Sequence, residues 1–175
     1  MIIKKIFIIL FNFIRVCKLK ELIEVFVAPL LISFVLYIVF NKGLVNNITF
    51  FSDINETVIT VTSLLSAFGL AALSILVTSS GNNIEEAKQT FTNRKSLGNK
   101  SVSYYKLLVI RGFFSLFIQL ITLTLALFLK FIIETNAHTI LIYIEVYFLL
   151  VALESQYFMV MSMYYLLIEP KQNNS

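Results

Sequence analysis

Residues 139–168, TILIYIEVYFLLVALESQYFMVMSMYYLLI, form an apolar run interrupted by two carboxylates, Glu145 and Glu154. A run of this length exceeds the roughly 20 residues that cross a bilayer. Acids inside such a run are costly and mark function or assembly. Three further apolar runs precede it, at about 22–40, 58–78 and 107–133. The chain therefore reads as all-α: a polytopic membrane protein with a four-helix transmembrane bundle over 22–168. An amphipathic in-plane helix over 1–24 precedes the bundle, and a short flexible tail over 169–175 follows it.

Composition supports that class. Of 175 residues, 58% are hydrophobic and 14% charged, where a soluble domain carries about a quarter charged. The net charge of +4 does not point to nucleic acid. The cations flank apolar runs instead of gathering on a soluble face, which is the pattern of membrane orientation. One cysteine, Cys17, and one histidine, His138, exclude an internal disulfide and a His/Cys metal cluster. No motif for hydrolysis, redox or phosphoryl transfer is present, and Glu145 and Glu154 face opposite sides of one helix. The chain reads as a non-enzyme with no cofactor. Heavy use of Ile, Lys and Asn suggests an AT-rich bacterial or phage genome, and the bacterial cytoplasmic (inner) membrane is the expected location.

In the first 24 residues, Lys4, Lys5, Asn12, Arg15 and Lys18 share one helical arc, and Ile6, Phe7, Ile9, Leu10, Phe13 and Ile14 fill much of the rest. Such a helix lies at the headgroup boundary and offers Lys4, Lys5, Arg15 and Lys18 to anionic lipid. The lack of a small-residue cleavage site after Ile14 argues for a retained helix over a signal peptide. Residues 41–57 read as a polar loop. The link 79–106 reads as a helix from about Ile84 to Lys95, stopped at Gly98-Asn99. The second span places Ser63, Ala67, Ala71, Ser74 and Thr78 on one face, read as a packing surface within the monomer.

Orientation follows from Lys and Arg. Twelve lie in the amino-terminal segment, the central link and the ends that share their side; only Lys42 and Lys130 lie opposite. The termini are therefore expected in the cytoplasm.

The third span carries a stripe of Arg111, Ser115, Gln119, Thr122, Ala126 and Lys130, with no large hydrophobe. Lipid does not accept that face, so it meets protein or water. At ~1.5 Å per residue, Gln119 and Gln156 lie at about 20 and 18 Å from the cytoplasmic end. Lys130 and Glu145 lie at about 36 and 34 Å. The depths predict two pairs, Gln119 with Gln156 and Lys130 with Glu145. Glu154 has no such match. It is left to pair with another span, to meet its copies in a homo-oligomer, or to line a wet cavity.

Two function classes survive: an oligomeric, channel-like membrane component, and a sensor or anchor that docks a cytoplasmic partner. The layout of cytoplasmic termini, the stretch Ser63-Leu64-Leu65-Ser66-Ala67-Phe68-Gly69-Leu70-Ala71-Ala72 and the link opening at Gly81-Asn82-Asn83 resembles the small four-span membrane subunits of bacterial anti-phage systems, the Kiwa type. The resemblance implies phage sensing at the membrane with a separate cytoplasmic effector protein. A bacteriocin-type immunity protein and an accessory subunit of a transporter share the same layout.

Overall fold

The computed structural model describes residues 2–41, 48–133 and 139–168. Helix α1 (Ile2–Val16) precedes α2 (Leu19–Leu22), which runs through a π-helical turn (Ile23–Val27) into α3 (Ala28–Asn41). Helix α4 (Ile48–Thr78) and the short α5 (Asn82–Gln89) follow. Strands β1 (Phe91–Lys95) and β2 (Ser101–Ser103) form an antiparallel hairpin, and α6 (Tyr104–Ile133) and α7 (Thr139–Ile168) complete the chain. Four segments are long and apolar enough to cross a membrane: Leu19–Val39, Phe50–Thr78, Tyr104–Ile132 and Ile140–Tyr164. The helical, multi-pass fold is as the sequence predicts. Lys42, the 134–138 link and the 169–175 tail lie outside the described residues.

Pro29 explains the π-helical turn. Proline has no N–H, and its ring crowds the carbonyl four residues back. The backbone widens in the turn just before it, where the Ala28 N–H reaches the Ile23 carbonyl. A π-turn of this kind bends a helix without breaking it.

Helix α6 is central. It packs against α4 on one side and α7 on the other, while α4 also touches α7. Helix α3 leans on α7 alone among the long helices with substantial contact. Leu30, Leu31, Phe34, Val35 and Val39 of α3 are exposed to the surroundings, as befits the helix facing lipid most. At one end of the bundle α1, α5 and the hairpin form a cap. Phe13 of α1 stacks on Phe114 of α6, with ring centroids 3.5 Å apart. Phe13, Val25, Phe114, Ile118, Val151 and Ala152 share one buried cluster.

Four expectations are corrected. Residues 48–57 are helical and not loop: Asn55 turns inward, and the Thr57 hydroxyl donates to the Asp53 carbonyl. The link helix ends at Gln89, and Phe91–Lys95 is a strand. Gly98 and Asn99 both have positive φ, 87° and 59°, so this dipeptide turns a hairpin instead of ending a helix. The small-residue face of α4 points outward; Ser63, Ala67, Ala71, Ser74 and Thr78 are all exposed. The face that packs is Phe51, Asn55, Val58, Thr62, Gly69, Leu73 and Leu76. Finally, α1 is more than a lipid-surface helix. Phe13 and Val16 are buried, whereas Phe7, Ile8, Phe11 and Ile14 remain exposed for an apolar environment. The side chains of Lys4 and Lys5 lie outside the described set.

Candidate functional site

Polar side chains gather in a column through α4, α6 and α7, in three layers. At the cap end the centre is Glu21. Its Oε1 accepts from Arg94 Nη2 and from Arg111 Nη2, each at 2.8 Å. Its Oε2 accepts from Arg94 Nη1 at 2.7 Å and from the Lys18 backbone N–H at 2.9 Å. Arg94 Nη1 also donates to the Val16 carbonyl at 3.1 Å, closing the end of α1. Arg111 Nη1 donates to Ser162 Oγ of α7 at 2.5 Å, and its guanidinium lies 5.7 Å from the Phe158 ring centroid. One carboxylate thus joins the start of the first span, the hairpin, α6 and, through Arg111, α7. All three ionised side chains are at most 17% exposed. Removing one partner of such a pair strands a buried charge, at a cost of about 3 kcal/mol or more. Bonding to Glu21 raises the Arg94 pKa still further above its ordinary value.

The hairpin is seated on α1 at two further points. Asn12 Oδ1 accepts from the Leu97 N–H at 3.2 Å, and Arg15 Nη2 donates to Asn99 Oδ1 at 2.6 Å. Val102 of β2 is fully buried against Val16 and Leu107. Two residues of the expected lipid-facing polar arc, Asn12 and Arg15, therefore also hold the hairpin, while Arg15 stays exposed.

The middle layer is neutral. Gln156 Oε1 accepts from Gln119 Nε2 at 2.9 Å and from Ser115 Oγ at 3.0 Å. Gln119 Nε2 also reaches Ser115 Oγ at 3.1 Å. The expected Gln119–Gln156 pair forms. Gly69 of α4 makes room for it: a Cβ there would lie 3.1 Å from Gln119 Oε1 and 3.0 Å from Leu116 Cδ2. Toward the far end, the Thr122 hydroxyl donates to the Ile118 and Phe148 carbonyls at 2.9 and 3.2 Å.

The far layer departs from expectation. Glu145 does not meet Lys130. Its Oε1 accepts from Asn55 Nδ2 at 2.8 Å, and Asn55 Nδ2 also reaches the Ala126 carbonyl at 2.9 Å. Lys130 is half exposed and lies 3.5 Å from Glu56 Oε1. Matched depth on α6 and α7 suggested the pair, but α4 supplies a neutral amide to the one and a surface acid to the other. Among the described residues, Thr62 Oγ1, Gln119 Oε1 and Glu145 Oε2 are buried without a hydrogen-bond partner. Glu154 lies half-buried on the opposite face of α7. Its neighbours on that face include Tyr143, edge-on to Tyr37 of α3.

Of the intramembrane residues singled out from sequence, the structure thus unites Gln119 with Gln156, buries Arg111 and Glu145 with other partners, and leaves Lys130 and Glu154 apart. Glu21, Arg94, Asn55 and Ser162 were missed. Glu21 stands three residues after Lys18, at a helix start, which is a readable signal for an acid that caps. Asn55, Thr62 and Gly69 recur at seven-residue spacing, a signal visible only once 48–57 is read as helix. No protein-family model matches this chain, and comparison with curated proteins and with solved structures returns no match. Among the described residues no group of three or more His, Cys, Asp or Glu is placed to hold a metal ion.

Two outcomes are expected. Burial beside the clamp pushes the Cys17 thiol up to about 12, so alkylation near pH 8 is slow and rises about tenfold per pH unit. Arg94→Gln removes a cation that favours the thiolate, which by itself slows alkylation. If the clamp holds the cap down, the variant opens it and alkylation instead accelerates by about tenfold or more; an unchanged or slower rate would show the cap stays shut without Arg94. The second outcome concerns Asn55 and Glu145. Asn55→Leu and Glu145→Leu should each lower stability in detergent by about 2 kcal/mol, because each strands a buried polar partner. The double variant should lose clearly less than the sum. Strict additivity would show that the bond contributes nothing.

Proposed function

We propose that this chain is a membrane anchor or sensor subunit that acts through its cap, and that the cap faces the bacterial cytoplasm. The observation that carries this reading is the Glu21–Arg94–Arg111 clamp, which couples the cap to α6 and α7. A push on the hairpin is thereby felt inside the bundle. The cytoplasmic orientation draws on the twelve-to-two cation bias. The packing of α4, α6 and α7 favours an anchor over a pore. Leu73 of α4 and Met159 of α7 fill the space beside Gly112 of α6, where a Cβ would clash with Leu73 Cδ1. The layout shared with Kiwa-type membrane subunits makes phage sensing with a cytoplasmic effector the biological setting we propose.

The reading has a direct test. In a Cys17→Ser background, Asn93→Cys should be labelled in intact cells by a membrane-permeant maleimide and not by an impermeant one. Purified chain in proteoliposomes should pass no more ions than empty vesicles. Impermeant labelling would reverse the orientation, and sustained ion flux would replace the anchor by a channel. For the defence setting, cells expressing the chain with its gene neighbours should plate a panel of phages less efficiently. Equal plating across the panel would remove it.

A further inference from the structure

A cavity of about 520 Å³ opens on the flank of the cap, between the end of α1 and the hairpin. Its lining includes four cations, Arg15, Lys18, Arg94 and Lys95, with Asn99 and Tyr104, and no carboxylate. Arg94 is spent on Glu21. The other three are exposed. Among the described residues none of them is in an ion pair with a carboxylate. Arg15 bonds a neutral amide, Asn99 Oδ1, which fixes its guanidinium at the rim without cancelling its charge. The lining of one concave site thus includes three cations that, among the described residues, no carboxylate pairs. A concave site lined by one sign of charge raises the local concentration of anions.

The depth of the cavity narrows the anion. Lys18 immediately precedes the first span, which begins at Leu19, and Tyr104 opens the third. The cavity is thus bordered by the starts of two apolar helices, which is the level of the headgroups. A guanidinium and two ammonium groups at that level match the tetrahedral oxygens of a phosphate ester. Next to the cavity, exposed Phe11 and Ile14 of α1 offer apolar surface that acyl chains can cover.

We propose that this cavity is a binding site for a phosphate-bearing ligand, filled by the headgroup of an anionic phospholipid. Arg15, Lys18 and Lys95 bind the phosphate, and the exposed side of α1 meets the acyl chains. This differs from diffuse attraction of a basic helix to a charged surface, because the hairpin contributes Lys95 and fixes Arg15 through Asn99. It does not depend on the anchor reading.

The test uses the full chain in zwitterionic nanodiscs, titrated with phosphatidylglycerol and read by native mass spectrometry. The parent should retain one tightly held phosphatidylglycerol per chain. Lys18→Gln with Lys95→Gln should weaken retention by about tenfold or more, given the usual worth of a cation near a lipid surface. Lys20→Gln with Lys106→Gln changes net charge equally away from the lining and should weaken retention clearly less. Parallel titrations with inorganic phosphate and with a nucleoside triphosphate identify the source. Binding of these, but not of lipid, with the same dependence on Lys18 and Lys95 would keep the phosphate site and overturn the lipid assignment. Equal loss in both double variants, or none in either, would overturn the site. Arg15→Lys keeps the charge but loses the fork held by Asn99. It should weaken retention measurably, and retention equal to the parent's would overturn the part given to the Arg15 fork.

Discussion

An ionised carboxylate at the mouth of a membrane span has few stable arrangements, and Glu21 adopts the most demanding of them. Both oxygens are filled, by two guanidinium groups and a backbone N–H. The desolvation of three charges is offset only because each is bonded in several directions. That requirement fixes much else. Arg94 is brought in by the first strand of the hairpin that follows α5. Arg111 has to stand one turn or more inside α6, which brings Ser162 of α7 within its reach. The cap is therefore tied to the bundle by electrostatics as well as by the stacked Phe13 and Phe114 rings.

Polarity then falls and returns with depth. The charged groups sit at the cap end. The middle of the column uses only hydroxyls and amides, whose burial costs less than that of a charge and is recovered by mutual hydrogen bonds. Glu145 stands closer to the other end, where Asn55 covers one oxygen. Gly69 of α4 and Gly112 of α6 face neighbouring helices, and side chains from across the interface fill the space a Cβ would take. A membrane core cannot draw on the expulsion of water to hold helices together. Close approach and paired polar groups do that work here.

The membrane class and the four spans were legible because a long apolar run has one physical meaning. The buried stripe on α6 was legible for the converse reason: Arg111, Ser115, Gln119 and Thr122 on one face cannot meet lipid. The Gln119–Gln156 pair followed from antiparallel neighbours of equal depth. What depth alone misses is a third helix. Two matched residues pair only when nothing stands between them, and Asn55 and Glu56 of α4 take Glu145 and Lys130 apart. Asn55 itself was hidden by composition, since Asn, Asp and Thr in 46–57 look like loop when their inward neighbours are not yet known. Small residues misled for a related reason. Ser63, Ala67 and Ala71 permit close packing without requiring it, while the larger Leu73 and Leu76 gain more from burial. The clamp was beyond the sequence, because Glu21 meets partners 73 and 90 residues away.

The first span is held unequally along its length, and that inequality has a consequence for how the parts move together. Its start is fixed by the Glu21 clamp and by Val25 in the buried cluster. Beyond the π-turn, α3 leans on α7 through contacts such as Tyr37 on Tyr143 and shows most of its side chains to lipid. The cap is therefore joined to α6 and α7 by charged bonds, and to α3 only across a bend and a sparse apolar edge. The π-turn sits at the boundary between the two regimes. A helix that must be rigid at its clamp and compliant in lipid gains from having its i→i+4 ladder interrupted at that point, and Pro29 supplies the interruption.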